Sequence, residues 1–228
     1  MGRARENFVF RNLANATSLL GVLPLAVLFL DDGYRYVILL IIYNNFMDDL
    51  DGVLAAKLNI KTRFGADLDN ICDVVAHAML ALAVGAHFGS LLIGASALAA
   101  GSIILRVITR LNPKAIEGIG SQTNELMRHM LFTLLLAGQF GFSPEYILMA
   151  VFLIHAVSML VPYPMPHPII DRAKSAKALG LVNVALVIAW LVPVTTPVIT
   201  ATFVAAYIYS FIVGSIGWWN KLAVKTLL

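Results

Sequence analysis

Apolar residues gather along this chain into eight long runs. They cover Leu13–Leu30, Tyr36–Ala56, Ala66–Phe88, Ser90–Thr109, Asn124–Gly138, Tyr146–Val161, Ala176–Val192 and Pro197–Gly217. A helix rises about 1.5 Å per residue and the hydrocarbon core of a bilayer is about 30 Å thick, so a crossing takes roughly 20 mostly apolar residues. The pattern predicts an all-α integral membrane protein with about eight transmembrane helices, the fifth and sixth being the shortest. The connections are too short to hold a soluble domain, and no internal repeat is visible, so residues 1–228 read as a single transmembrane domain.

Composition sharpens this picture. The chain is 60% hydrophobic and 13% charged, with a mean hydropathy of +0.84. An average soluble domain is nearer half apolar and a quarter charged, so an ordinary water-soluble enzyme is excluded, and so is a disordered chain. The single cysteine, Cys72, cannot form an internal disulfide, and no Cys/His cluster offers a zinc site. A net charge of +3 at so apolar a composition points to membrane orientation rather than nucleic acid. With the N-terminus inside, alternate segments leave only Arg35 of the 16 lysines and arginines on the outer side. Both termini are therefore predicted to be cytoplasmic. The first run ends in Leu30-Asp31-Asp32-Gly33 without a small-residue cleavage site, so it is read as a retained helix.

The acidic residues change the reading from architecture to chemistry. Asp48, Asp49, Asp51, Asp67, Asp69 and Asp73, six of the 13 in the chain, fall within 26 positions at the junction of the second and third predicted helices. An ionised carboxylate in hydrocarbon costs several kcal/mol unless it is paired, hydrated or metal-bound. Asp48 and Asp51 are three apart, and Asp69 and Asp73 four apart, so each pair shares one helix face. The polar segment Lys57–Phe64 returns the third predicted helix onto the second as an antiparallel neighbour, and the four carboxylates can converge near the cytoplasmic boundary. Such a cluster needs a counter-charge, and all-oxygen ligands favour one or two hard cations, Mg²⁺, Mn²⁺ or Ca²⁺. An EF-hand is excluded, because its loop would put Met47 and Leu58 at ligand positions. Asp49 and Asp67 read instead as helix caps or solvated loop groups. Gly52, Ala55 and Gly65 give either a surface for a flat or extended ligand or the small-residue packing of membrane helices.

The segment Asp48-x2-Asp51-Gly52-x2-Ala55-Ala56-x8-Gly65-x3-Asp69-x3-Asp73 resembles the signature of the CDP-alcohol phosphatidyltransferase family, D-x2-D-G-x2-A-R-x8-G-x3-D-x3-D. It departs at Ala56, where the signature has arginine, and Lys57 follows as the candidate positive charge. Asn15-x2-Ser18 is similar to the family's Asn-x2-Thr. Phe64–Asp69, Leu105–Asn112 and Tyr163-Pro164 after Ser158 resemble segments of the phosphatidylserine synthase branch, as does the count of eight spans. Asn70, Ala76–Ala78 and Ile116–Asn124 depart from that branch.

The resemblance implies transfer of a phosphatidyl group from CDP-diacylglycerol, or a related CDP-alcohol, to a small hydroxyl acceptor, with release of CMP. L-Serine is the first acceptor, with glycerol 3-phosphate or an inositol-type alcohol as alternatives. It implies Asp48, Asp51, Asp69 and Asp73 as ligands of Mg²⁺ or Mn²⁺, two ions in all, with Asp73 also the general base. Asn15, Ser18, Gly52, Ala55, Lys57 and Gly65 would bind the CDP-lipid. Arg110, Lys114 and Arg128, with His129 beside them, are the candidate acceptor ligands; otherwise these cations serve orientation and lipid head groups. His77 and His155 are expected to be packed, hydrogen-bonded histidines, and Trp218-Trp219-Asn220-Lys221 an interfacial anchor. The resemblance further suggests a homodimer among membrane lipids, in a prokaryotic plasma membrane with the site facing the cytoplasm. Two competing readings stand beside it: a family member weakened by Ala56, and a cation-coupled transporter using the carboxylates as an ion path.

Overall fold

The computed structural model describes residues 8–112, 118–166 and 176–226, and every regular element among them is helical. After one turn at Phe8–Arg11 come eight longer helices: α1 (Leu13–Val22), α2 (Val37–Lys57), α3 (Arg63–His87), α4 (Ser90–Leu111), α5 (Thr123–Phe140), α6 (Glu145–Leu160), α7 (Ala176–Leu191) and α8 (Thr196–Thr226). Each coincides with one predicted run, and the differences lie at the ends. Pro24 cannot donate to the α-helical ladder, and the first run tightens into a 3₁₀ helix over Leu23–Phe29. The third helix starts earlier than its apolar run because the Thr62 side chain caps it, accepting from Gly65 N at 2.9 Å. The last helix continues through the expected anchor, where Trp218 packs on Tyr163 and Trp219 stays exposed.

By length and composition, Arg63–His87, Ser90–Leu111 and Pro193–Ala223 are long and apolar enough to cross a membrane. Leu13–Phe29, Glu145–Leu160 and Leu179–Leu191 are apolar but shorter. Large apolar side chains face outward along several helices, among them Leu98, Val157 and Val198. Contiguous apolar surface of this kind suits a lipid environment.

The packing explains why two charged residues sit in a central helix. α5 is surrounded by α2, α3, α6, α7 and α8, and buries Leu126, Met127, Met130, Leu131 and Phe132. Its Glu125 and Arg128 therefore meet protein rather than lipid, at one end of that helix. α3 and α4 run closely side by side, and a Cβ on Gly85 would collide with the Ser96 side chain. The turn between α2 and α3 is closed by Asn59 in the left-handed region (φ 55°), with Ile60 N donating to Ala55 O at 3.1 Å. Four helix ends, those of α2, α3, α4 and α5, thus meet at one end of the bundle. At the other, the Tyr34 ring stacks on His87 with centroids 3.4 Å apart.

Candidate active site

The carboxylates sit where α2 and α3 face one another. One oxygen each from Asp48, Asp51 and Asp69 lies within 4.8 Å of the others. Their remaining contacts come from neighbouring helices: the Ser18 hydroxyl of α1 hydrogen-bonds Asp51, and Asn124 Nδ2 of α5 donates to Asp48 Oδ2 at 2.7 Å. Asp69 Oδ1 is buried with no hydrogen-bond partner among the described residues. Three converging oxygens and one orphaned acceptor fit a hard divalent cation, which takes oxygen ligands and supplies the missing counter-charge. Asp73 lies a turn further along α3, with Oδ2 4.0 Å from Arg110 Nη1.

Two openings flank this cluster. One is a cleft of about 290 Å³ between α1, α2 and α3, bounded by Asn15, Ser18, Asp51, Gly52, Ala55, Gly65 and Asp69. A Cβ on Gly52 would meet nothing within 4 Å, whereas one on Gly65 would come 2.9 Å from Asn15 Oδ1. Gly65 therefore leaves room for the Asn15 side chain at the edge of the cleft. Lys57 is exposed at the end of α2 and does not line it; Lys61, four residues on, does. The left-handed turn at Asn59 carries the chain back toward the opening and exchanges one lysine for the other.

The second opening, of about 190 Å³, is bounded by Asp48, Asp69, Asp73, Arg110, Thr123, Asn124 and Arg128. Arg110 Nη1 donates to Asn70 Oδ1 at 3.0 Å, and Arg128 Nη1 to Glu125 Oε1 at 3.1 Å. Lys114 lies outside the described residues. His129 does not line this opening. Its Nδ1 lies 2.9 Å from Nε2 of His155, in hydrogen-bond contact, and both rings pack on Tyr207. Ser158 hydrogen-bonds Ser121 and Tyr207, and Tyr163 reaches Ser215 at 2.7 Å, so these residues join α6 and its following loop to α8.

Asp67 is paired with Arg63 on an exposed helix face, as a solvated group would be. Asp49 differs from the expectation. It is half-buried and accepts from Asn183 Nδ2 at 2.6 Å and from Asn45 Nδ2 at 3.3 Å. Sequence reasoning missed Lys61, Asn124, Asn45 and Asn183. Only Lys61 carried a local signal, its place in the loop joining the two halves of the signature.

An all-helical bundle whose clustered carboxylates separate two pockets defines a helical protein with a candidate divalent-metal site. The CDP-alcohol phosphatidyltransferase family model matches residues 11–162 of the 228, about two thirds of the chain, and the chain belongs to that family, one of transferases for substituted phosphate groups. The family uses a divalent metal, with which the aspartate cluster is compatible. A 52-residue stretch is 42% identical to an uncharacterized protein of Aquifex aeolicus (strain VF5), covering 23% of this chain and 26% of that relative. The match thus spans about a quarter of the relative's length.

Proposed function

We propose that the protein transfers a phosphatidyl group from CDP-diacylglycerol to L-serine and releases CMP. The observation that carries this reading is the position of the carboxylates between two unlike openings, one bounded by small residues and one by two arginines. Cytidine and its pyrophosphate would occupy the first, against Gly52, Ala55 and Gly65, with Asn15 and Ser18 opposite and Lys61 at the rim. The acceptor would occupy the second. Its small volume favours a compact molecule, and Arg110 and Arg128 suit a carboxylate. The same two cations also suit the phosphate of glycerol 3-phosphate, which is the second reading.

In this mechanism Asp48, Asp51 and Asp69, with Asp73 contributing, would hold Mg²⁺ or Mn²⁺, two ions in all. Bound there, the metal would supply positive charge to neutralise the pyrophosphate and the leaving group. Asp73 takes the proton from the acceptor hydroxyl. The freed oxygen attacks the phosphorus that bears the diacylglycerol, the bond from that phosphorus to the bridging oxygen breaks, and CMP departs with that oxygen. Arg110 orients the acceptor beside Asp73. The bundle crosses a prokaryotic plasma membrane with all eight helices, both termini and the site on the cytoplasmic face, a reading supported by the one-sided distribution of lysine and arginine.

The test is CMP release by the purified protein with CDP-diacylglycerol and Mn²⁺ or Mg²⁺, with L-serine, glycerol 3-phosphate and inositol offered separately. Release that requires serine, and that is lost in Asp73→Asn while CDP-lipid binding persists, is the expected result. Equal turnover by Asp73→Asn would remove that residue as base. Release with glycerol 3-phosphate alone would move the assignment to the second reading.

A further inference from the structure

α7 lies beyond residues 11–162, the part of the chain covered by the family match, yet it reaches the candidate active site through Leu179 and Asn183. Asn183 is buried. Its Nδ2 donates to Asp49 Oδ2 at 2.6 Å and to Leu179 O at 3.1 Å, while its Oδ1 accepts from Asn45 Nδ2 at 2.9 Å. Asn45 is used just as fully. Its Nδ2 also donates to Asp49 Oδ2 at 3.3 Å, which leaves its Oδ1 to accept from Arg128 Nε at 3.2 Å.

Each amide thus has both donors and its acceptor engaged, so neither can turn over without setting like groups against each other. The direction of the chain is fixed at both ends, by the Asp49 carboxylate and by the Arg128 guanidinium. Arg128 is only 2% exposed, yet it borders the pocket that also holds Asp73 and Arg110. Leu179, one turn before Asn183, borders the same pocket.

We infer that Asn183 is a positioning residue for the acceptor half of the site: acting through Asn45, it holds the Arg128 guanidinium at the wall of the acceptor pocket. The inference rests on the reading of that pocket given above. It makes acceptor affinity depend on a helix outside the matched family region. A residue that merely glued α7 to the bundle would weaken both substrates alike, or neither.

The experiment uses the full chain in detergent and compares wild type with Asn183→Ala. Phenylglyoxal labelling followed by peptide mass mapping reads Arg128 directly. Arg128 is expected to be protected in the wild type and to label several-fold faster in the variant, with Arg110 labelling unchanged. An unchanged Arg128 rate overturns the inference. In the CMP-release assay the acceptor KM should rise about tenfold, the size expected for losing a hydrogen bond to a charged group. The KM for CDP-diacylglycerol should stay put, and the added effect of Asn183→Ala should vanish in an Arg128→Lys background. Parallel rises in both KM values, or full additivity, would also overturn it. If Asn183→Ala is not recovered as a folded protein, Asn183→Ser, which keeps one donor for Asp49, carries the same measurements with a smaller shift. A wild type that turns over no acceptor removes the proposed reaction, while the labelling comparison still decides the role of Asn183.

Discussion

Arg110 Nη1 lies 4.0 Å from Asp73 Oδ2 and donates to Asn70 Oδ1 at 3.0 Å, so one guanidinium of α4 spans two residues of α3. Asn70 is itself fixed, since its Nδ2 donates to Ala66 O at 2.8 Å. The cation is therefore aimed by a side chain that stands between two aspartates of the signature. Both contacts run through the single nitrogen Nη1 of a rigid, planar group, whereas a lysine ammonium sits on a shorter and more flexible stem and is held less firmly. Arg110→Ala should raise the acceptor KM by roughly ten- to a hundredfold, the range for losing hydrogen bonds to a charged group. Arg110→Lys should recover only part of it. Acceptor titrations of CMP release at saturating CDP-lipid check this, and full activity of the lysine variant would leave charge alone as the requirement.

The two glycines of the cleft should both affect CDP-lipid binding but differ in what they do to the fold. A methyl group at Gly65 meets Asn15 Oδ1 at 2.9 Å and Thr62 Oγ1 at 3.2 Å, so the Asn15 side chain must shift within the cleft. Gly65→Ala should cost at most about 1 kcal/mol, because only side-chain tips give way, and should weaken CDP-lipid binding by displacing Asn15. Gly52→Ala meets nothing within 4 Å and should leave stability within about 0.5 kcal/mol. Its methyl would still enter the cleft, so the KM for CDP-lipid should rise. Thermal unfolding in detergent beside substrate titration separates the two effects.

The turn at Asn59 decides which lysine matters to the nucleotide half of the site. Lys61 borders the cleft, and Lys57 is exposed outside it. Lys61→Ala should raise the apparent KM for CDP-diacylglycerol several-fold, while Lys57→Ala changes it by less than about twofold, as a screened surface charge would. Ala56→Arg restores the residue of the family signature and should tighten CDP-lipid affinity. No change in Ala56→Arg would mean that Lys61 already meets the need for charge.

The α2–α3 hairpin was legible in the sequence because its chemistry is local. Spacings of three and four put Asp48 with Asp51 and Asp69 with Asp73, and the polar loop between them required a reversal. The eight helices were legible for a similar reason: long apolar runs admit little besides helix in a bilayer. What could not be read was the set of contacts made across the chain. Asn183 lies more than a hundred residues from Asn45 and Asp49, and no spacing rule relates an asparagine on one helix to an aspartate on another. Asp49 accordingly read as a capping or solvated group. The lysine exchange was hidden by a single backbone conformation, the positive φ at Asn59.

Metal dependence should follow the three converging oxygens. Chelation should stop CMP release, and Mg²⁺ or Mn²⁺ should restore it. Asp51→Asn should demand a higher metal concentration, because an amide is a neutral and poorer ligand. Asp67→Asn, on the exposed face of α3 beside Arg63, should behave as wild type. Mn²⁺ binding followed by electron paramagnetic resonance gives a readout independent of turnover. Retained high-affinity Mn²⁺ in Asp51→Asn would exclude that carboxylate as a ligand.

The buried pair in α5 sets a limit on how the acceptor half of the site can be altered. Arg128 Nη1 donates to Glu125 Oε1 at 3.1 Å, both side chains are largely enclosed, and the Arg128 guanidinium carbon lies 5.9 Å from the centre of the Phe203 ring of α8. Truncating one partner of a buried pair leaves the other charge uncompensated, which costs about 3–5 kcal/mol. Arg128→Ala should therefore lower the unfolding temperature markedly as well as weaken the acceptor. Arg128→Met combined with Glu125→Gln removes both charges at similar volume, and most of the lost stability should return. Acceptor affinity should not, because the cation at the pocket wall is gone. Recovery of both in the double variant would assign Arg128 to structure alone; recovery of stability without affinity would assign it to both.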